Sequence, residues 1–243
     1  MNERRGAIMR AAARTRIAAV ALMAVAGLAG CSITVPSTAA PTVSESTPAR
    51  TYAPPSVQAG HDAAAVAAAP MTFAAGNTLS PGIAVKFSDN LGQSPQDYSE
   101  TPVPPEWKIV TNTVAGRTQY TNAAGCLAAY WTTTNQGPLI TAGDDKASTV
   151  AMMKYLIPSV MDESLIEAKL PWTAEAGKNG PAISFLGFHT KAAKDVMAST
   201  VWVRMLGTAG TGLLVSLACP SDALLASTTP QVMATLSVAP PSN

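Results

Sequence analysis

The chain has 243 residues, of which 47% are hydrophobic but only 5% aromatic and 13% charged, with a formal net charge of +1. That composition excludes a collagen-like fibre, a coiled coil and a highly charged disordered tail. Near-neutral charge argues against a nucleic-acid partner, which calls for a basic patch able to displace phosphate counterions.

The first thirty residues form a targeting segment. Arg4, Arg5, Arg10, Arg14 and Arg16 precede an uninterrupted apolar run from Ile17 to Gly30, which reads as the basic n-region and h-region of a secretory signal. The run is shorter than the roughly 20 residues a transmembrane helix needs. It ends in Leu28-Ala29-Gly30-Cys31, a tetrapeptide that resembles a bacterial lipobox. The resemblance implies that diacylglycerol alkylates the Cys31 thiol, that the signal is cut just before it, and that the new N-terminus is acylated by a fatty acid such as palmitate. Two or three acyl chains, at about 0.8 kcal/mol per buried methylene, make a stable tether. The plainer alternatives are an unmodified Cys31 in an ordinary secreted protein and a short anchor helix over residues 17–30. Arg4-Arg5 leads into Gly6-Ala7-Ile8-Met9, a poor match to a twin-arginine signal, so the general secretory route is preferred.

Cleavage before Cys31 removes five arginines and Glu3, leaving eleven basic residues against fourteen acidic ones, a mature chain of about −3. Such a chain has no electrostatic reason to lie on an anionic bilayer, so the lipid does the anchoring. Residues 31–75 carry Pro36, Pro41, Pro48, Pro54, Pro55 and Pro70 among many Ser, Thr and Ala. This composition predicts a disordered tether, with a reach on the order of 35 Å. His61 falls in it, beside Asp62 and ahead of the run Ala63–Ala69. A helix that short is marginal in water, so this stretch reads as linker and His61 as no ligand.

Residues 76–243 read as one globular domain. Ile83–Phe87 is a short strand candidate and 94–106 a loop. Trp107–Val114 and Thr118–Thr134 make a hairpin around Ala115-Gly116-Arg117. Within the second run Cys126, Ala128 and Tyr130 share one face and Leu127, Ala129 and Trp131 the other. Asp144-Asp145 caps a helix with Val150, Met153, Leu156 and Ile157 on one stripe, ended by Pro158. Strands follow over Leu165–Ala174, Ala182–Thr190, Thr200–Leu206 and Leu213–Cys219, with turns at 177–180 and 207–212. Ser221-Asp222 opens a last helical stretch, in which Thr229-Pro230 reads as a fresh cap ahead of Val232, Met233 and Leu236. Strands, helix, strands, helix is an α+β pattern: an antiparallel sheet with packed helices.

This order, ending near Ala234-Thr235-Leu236-Ser237-Val238, resembles the PsbP/Mog1-type sandwich that recurs in lipoproteins of high-GC actinobacteria. The resemblance covers residues 80–238 and rests on element order. It implies a binding or accessory module, and it transfers no site residue.

With Cys31 acylated, Cys126 and Cys219 remain as an even pair in an exported chain, which predicts one disulfide between the two halves of the domain. The alternative is two buried thiols. No nucleophile elbow occurs. His189 offers a base, with a serine or an aspartate such as Asp195 as partner, but a lone strand-end histidine is more often structural. No zinc set or calcium loop is present in the sequence, and the glycines of 207–212 lack a phosphate loop's Lys-Ser/Thr. Met152, Met153, Met161, Met197 and Met205 read as core filler ahead of copper ligands. Trp107, Tyr130, Trp131 and Trp172 either line an apolar groove or form the core of an aromatic-poor domain, and the core reading comes first. The sequence therefore predicts a noncatalytic lipoprotein on the extracytoplasmic face of the cell membrane. It would have no cofactor or metal and an envelope protein as partner. A hydrolase using His189 and a carrier of apolar or lipidic ligands are the alternatives.

Overall fold

A computed structural model describes residues 62–93 and 106–242, all within the compact unit Tyr52–Asn243. The signal, the lipobox with Cys31, His61 and most of the expected tether lie outside the described residues. Seven antiparallel strands form the main sheet: β2 (Trp107–Val114), β3 (Arg117–Asn122), β4 (Leu127–Thr134), β5 (Ile166–Pro171), β6 (Ala182–Thr190), β7 (Ala198–Leu206) and β8 (Thr211–Cys219). Their spatial order is β2-β3-β4-β8-β7-β6-β5, and β1 (Lys86–Asp89) pairs with β9 (Leu236–Ala239) in a separate ribbon. The α+β class expected from the sequence is the observed architecture.

The centre of the sheet is the hairpin β7–β8, paired from Ala198↔Cys219 to Leu206↔Thr211. Its turn needs a residue at positive φ, which Gly210 supplies at +70°, and Gly210 N–H donates to Gly207 C=O at 3.1 Å. Alternation then sorts the side chains. Trp202, Leu213, Val215 and Leu217 face the layer of β1, β9 and helix α4 (Asp222–Thr235), whereas Val203, Met205 and Leu214 face helix α3 (Asp145–Leu156). Because both faces are covered, seven of the nine β8 residues are buried and the strand reads as an apolar run. The two faces assigned to β4 hold: Ala128 and Tyr130 join the first cluster and Trp131 the second.

Four expectations are corrected. The run Thr118–Thr134 breaks at a turn where Gly125 adopts φ +81°, giving two strands. In α3, capped by Asp144 as expected, the fully buried side chains are Asp145, Ser148, Thr149, Met152 and Met153, and Leu156 is exposed. The helix turns this face inward because Thr149 Oγ1 accepts the Met205 N–H at 2.9 Å, beyond the last β6–β7 pair. Pro230 lies inside α4 and starts no new helix, since Thr229 Oγ1 donates backward to Leu225 C=O at 2.7 Å. Leu236–Ala239 is a strand, all four residues buried, where a helix end was expected.

A fifth correction moves the domain boundary. Residues 62–75, expected to continue the tether, dock on the domain through helices α1 (Ala63–Ala68) and α2 (Phe73–Gly76). Asp62 caps α1 through Ala65 N–H at 3.0 Å, and Trp172 Nε1–H donates to Val66 C=O at 2.9 Å. Between the helices, Met71 is buried and bridges Ile183 in parallel, its N–H donating to Ala182 C=O and its C=O accepting from Ser184 N–H. Tertiary contacts hold what local propensity alone leaves marginal.

Candidate functional site

The structure does not bring the four aromatic candidates together. Trp172 is wholly buried and bridges Val238, so it is core. Trp131 lies on the α3 face, with the Arg117 guanidinium 5.8 Å from its ring. Tyr130 is half-buried on the opposite face, its ring 5.0 Å from that of Phe87. Trp107 is also nearly buried, but it forms a wall of two adjoining clefts.

The larger cleft, about 610 Å³, lies between the turn after β1, the start of β2, residues 175–178 and α4; it is lined by Asn90, Leu91, Gln93, Glu106, Trp107, Glu175, Lys178, Gln231 and Thr235. The smaller, about 490 Å³, shares Gln93 and Trp107 and adds Asp89, Lys108, Ile109 and Tyr120. Amides, carboxylates and a lysine beside one indole suit a polar ligand or a peptide, with the few placed polar groups that fix orientation in a binding cleft. Asn90 carries the most specific feature: its buried Oδ1 has no donor among the described residues, while its N–H donates to Thr235 C=O at 3.2 Å. A buried acceptor without a donor is costly.

One wall of the smaller cleft is a carboxylate shared by two phenols. Asp89 Oδ1 accepts from Tyr120 Oη at 2.8 Å and from Leu91 N–H at 3.1 Å, and Asp89 Oδ2 accepts from Tyr130 Oη. Burial, then the bond to Asp89, pushes the Tyr130 phenol up to about 12 and moves Tyr120 well above the ordinary phenol range. Both folded values lie above the unfolded one. The stability linked to the Tyr130 proton is therefore intact below the usual phenol pKa and is lost as pH rises through about 12, and that linked to Tyr120 is lost at higher pH still. Of the five tyrosines, these two are expected to ionise last in an ultraviolet pH titration, and in Asp89→Asn they are expected to ionise earlier. Simultaneous ionisation of all five in the folded chain rejects the assignment.

His189 has partners, though not Asp195, which sits in an exposed turn at φ +61°. Its Nε2 lies 3.2 Å from Asp222 Oδ1 and its Nδ1 3.3 Å from Thr200 Oγ1, its cross-strand neighbour. Acid, imidazole and hydroxyl are thus within reach of one another, which meets the geometric condition for a histidine base and nothing beyond it. Asp222 also accepts the Ala192 N–H, so the same contacts fasten the turn after β6 to the first turn of α4.

The least legible cluster is ionic. Asp145 and Arg204, both fully buried, pair at 3.0 Å; Asp145 Oδ1 accepts from Gly207 N–H at 2.8 Å, and Arg204 Nη2 donates to Thr72 C=O at 2.8 Å. The guanidinium lies 4.4 Å from the Phe73 ring, and its Nε has no acceptor among the described residues. Burial lowers Arg204 to about 10 against the pull of Asp145, and burial raises Asp145 against Gly207 N–H and Arg204. Gly76 is required here, because a Cβ would run into Asp145 Oδ2 and Arg204 Nη2. An arginine inside the apolar run Val201–Leu206 was the one sequence signal of this cluster.

Cys126 and Cys219 are disulfide-bonded and fully buried. Of the methionines, Met152, Met153 and Met205 fill the α3 cluster while Met161 is exposed. Among the described residues no three His, Cys, Asp or Glu side chains gather at a metal-binding distance, and no helix is long and apolar enough to cross a membrane.

No protein-family model matches the chain. No curated protein matches it either. Solved structures that resemble it in part include a crystal structure from Bacteroides thetaiotaomicron VPI-5482, with TM-score 0.33 and 14% identity over 55% of this chain and 42% of that one. They also include the Saccharomyces cerevisiae Ran-binding protein Mog1p, with TM-score 0.30 and 13% identity over 61% of this chain and 84% of that one. The chain thus spans less than half the length of the Bacteroides protein.

Proposed function

We propose that the protein is a lipid-anchored lipoprotein of the cell envelope, facing away from the cytoplasm, whose domain is a noncatalytic binding or accessory module. The lipobox at Leu28–Cys31 supports the anchor. The Cys126–Cys219 bond supports an oxidising compartment, since disulfides persist outside the cytosol. The observation that carries the binding role is the Trp107 cleft, polar-lined and bordered by Asn90, Glu106, Glu175 and Lys178. Its lining does not favour an apolar or lipidic cargo, and the space between sheet and helix is filled by Trp172, Phe185, Leu213 and Val232.

The test is crosslinking and pull-down of the lipidated chain from native membranes. A stoichiometric protein partner is expected, lost in the charge-reversed variant Glu106→Lys/Lys178→Glu. The wild-type chain is expected to take up a palmitate analogue and to partition into detergent, and Cys31→Ala to do neither. A Cys31→Ala chain that stays labelled and membrane-bound refutes the anchor. No partner, together with ester cleavage that disappears in Thr200→Val and His189→Ala, favours the hydrolase reading that the contacts of His189 keep open.

A further inference from the structure

Away from the Trp107 cleft, residues 62–76 lie against β6, Trp172 and Arg204 of the same chain. Beyond the last β6–β7 pair, Leu186↔Val203, residues 182–184 of β6 stay paired with β5 on one edge, but on the β7 side they have no partner strand among the described residues, and Met71 takes that place. The occupant is held at four points. Trp172 Nε1–H reaches Val66 C=O; Ala182 C=O and Ser184 N–H bridge Met71; Arg204 binds Thr72 C=O; and the Arg204 guanidinium lies on the Phe73 ring. These are the elements of strand addition: backbone bonds to a free sheet edge plus pockets for alternate side chains.

The occupant is weakly committed. Its helices have six and four residues, too short to persist alone. Met71 is the one large side chain of residues 62–76 that is fully buried; most of the others are exposed. An open cleft of about 290 Å³ borders the segment beside its contact with β6, lined by Thr72, Phe73, Glu167, Lys169 and Ser184. The segment's own hold on Arg204 is the Thr72 carbonyl and the Phe73 ring, while Ser184 C=O and Asp145 bind the same guanidinium from the body of the domain. Asn77, bonded to Asp145 N–H and to the Thr208 hydroxyl, and the buried Leu79 fix the segment's far end, so it can swing without disturbing the disulfide-closed body.

We propose that residues 62–76 are a latch occupying a peptide-binding groove on β6, and that the groove takes, in trans, an extended peptide of the pattern apolar-x-aromatic, as in Met71-Thr72-Phe73. The apolar residue enters beside Ile183, the next carbonyl meets Arg204, and the aromatic ring covers the guanidinium. Because the latch competes for the groove, the apparent affinity for such a peptide scales with the open fraction.

The experiment uses the full chain and a fluorescent peptide of the Val66–Asn77 sequence, read by anisotropy. Phe73→Ala, which loosens the chain's own latch, is expected to bind the probe at least about tenfold more tightly than the unsubstituted chain. A probe carrying the same Phe73→Ala change is expected to bind neither. Equal binding to both chains, or none to a Phe73→Ala chain that keeps its circular dichroism and its disulfide, overturns the proposal. If Phe73→Ala does not fold, Phe73→Leu, which keeps an apolar side chain there but removes the ring that lies over the Arg204 guanidinium, takes its place. Hydrogen exchange supplies a second reading: the amide of Met71 is expected to exchange by local opening, well before those of β7 and β8. Exchange of all of them only on global unfolding also overturns it. Neither readout involves the Trp107 cleft or the lipid, so failure here leaves that reading standing.

Discussion

Replacing Cys126 and Cys219 together by alanine is expected to lower the unfolding free energy by about 4 to 5 kcal/mol, the value of the chain-entropy model for a loop of this length. The bond joins positions 93 residues apart, and a loop that long restricts the unfolded chain strongly. In the folded chain it costs little, because the strands already meet there. Leu127, next to Cys126, pairs with Ala218, next to Cys219, and Cys219 pairs with Ala198 of β7. Thr228 of α4 lies against the Cys126 sulfur at 3.9 Å, so sheet and helix converge on the bond. Urea titrations of the oxidised chain, the reduced chain and the double alanine variant check this, the last two being expected to agree. A loss below about 1 kcal/mol shows that the reduced unfolded chain keeps the two halves together by other means. Since both sulfurs are fully buried, reduction in native buffer is expected to wait for global opening.

Asp145→Asn is expected to be nearly as damaging, about 3 to 5 kcal/mol, because it leaves Arg204 charged and buried without its counter-ion. The shape is kept, and the amide oxygen can still accept from Gly207 N–H, so the loss reports the charge. The double variant Asp145→Leu/Arg204→Met is expected to recover most of the stability, since an apolar pair of similar volume carries no desolvation penalty. Guanidinium titrations of the three chains close the comparison. If the double variant is less stable than Asp145→Asn, the pair is favourable for more than its charge balance. The Thr72 carbonyl and the Phe73 ring, which also contact Arg204, are then the groups to examine.

What was legible in the sequence was local. Ala182–Thr190 and Leu213–Cys219 showed themselves through apolar runs bounded by turn residues, and Asp144 and Ser221 declared the starts of α3 and α4. The cysteine pair followed from compartment and parity. What stayed hidden depends on distant partners. Leu236–Ala239 has no local reason to be a strand until Lys86–Asp89 lies beside it. The alanines of 63–68 look like linker until Trp172 offers its indole N–H. Asp145 sits next to a true cap, Asp144, and shares its chemistry; only the arrival of Arg204 from 59 residues away gives it a different task. Trp107, Tyr130, Trp131 and Trp172 were singled out as a group by type, and the period of two then sent them to different faces and depths.

The ribbon of β1 and β9 also sets the order in which this protein can be completed. Among the described residues Lys86–Asp89 finds its partner only in Leu236–Ala239, the last of the described strands, and Val238 also flanks Trp172. A ribosome making the chain from its N-terminus therefore releases β1 long before β9 exists, and one flank of Trp172 stays uncovered until Val238 emerges. The β1–β9 ribbon cannot close before Leu236–Ala239 has been made. For a chain proposed to cross a membrane through a channel that accepts only unfolded polypeptide, that delay is an asset, because it keeps this part of the chain threadable until β9 has been made.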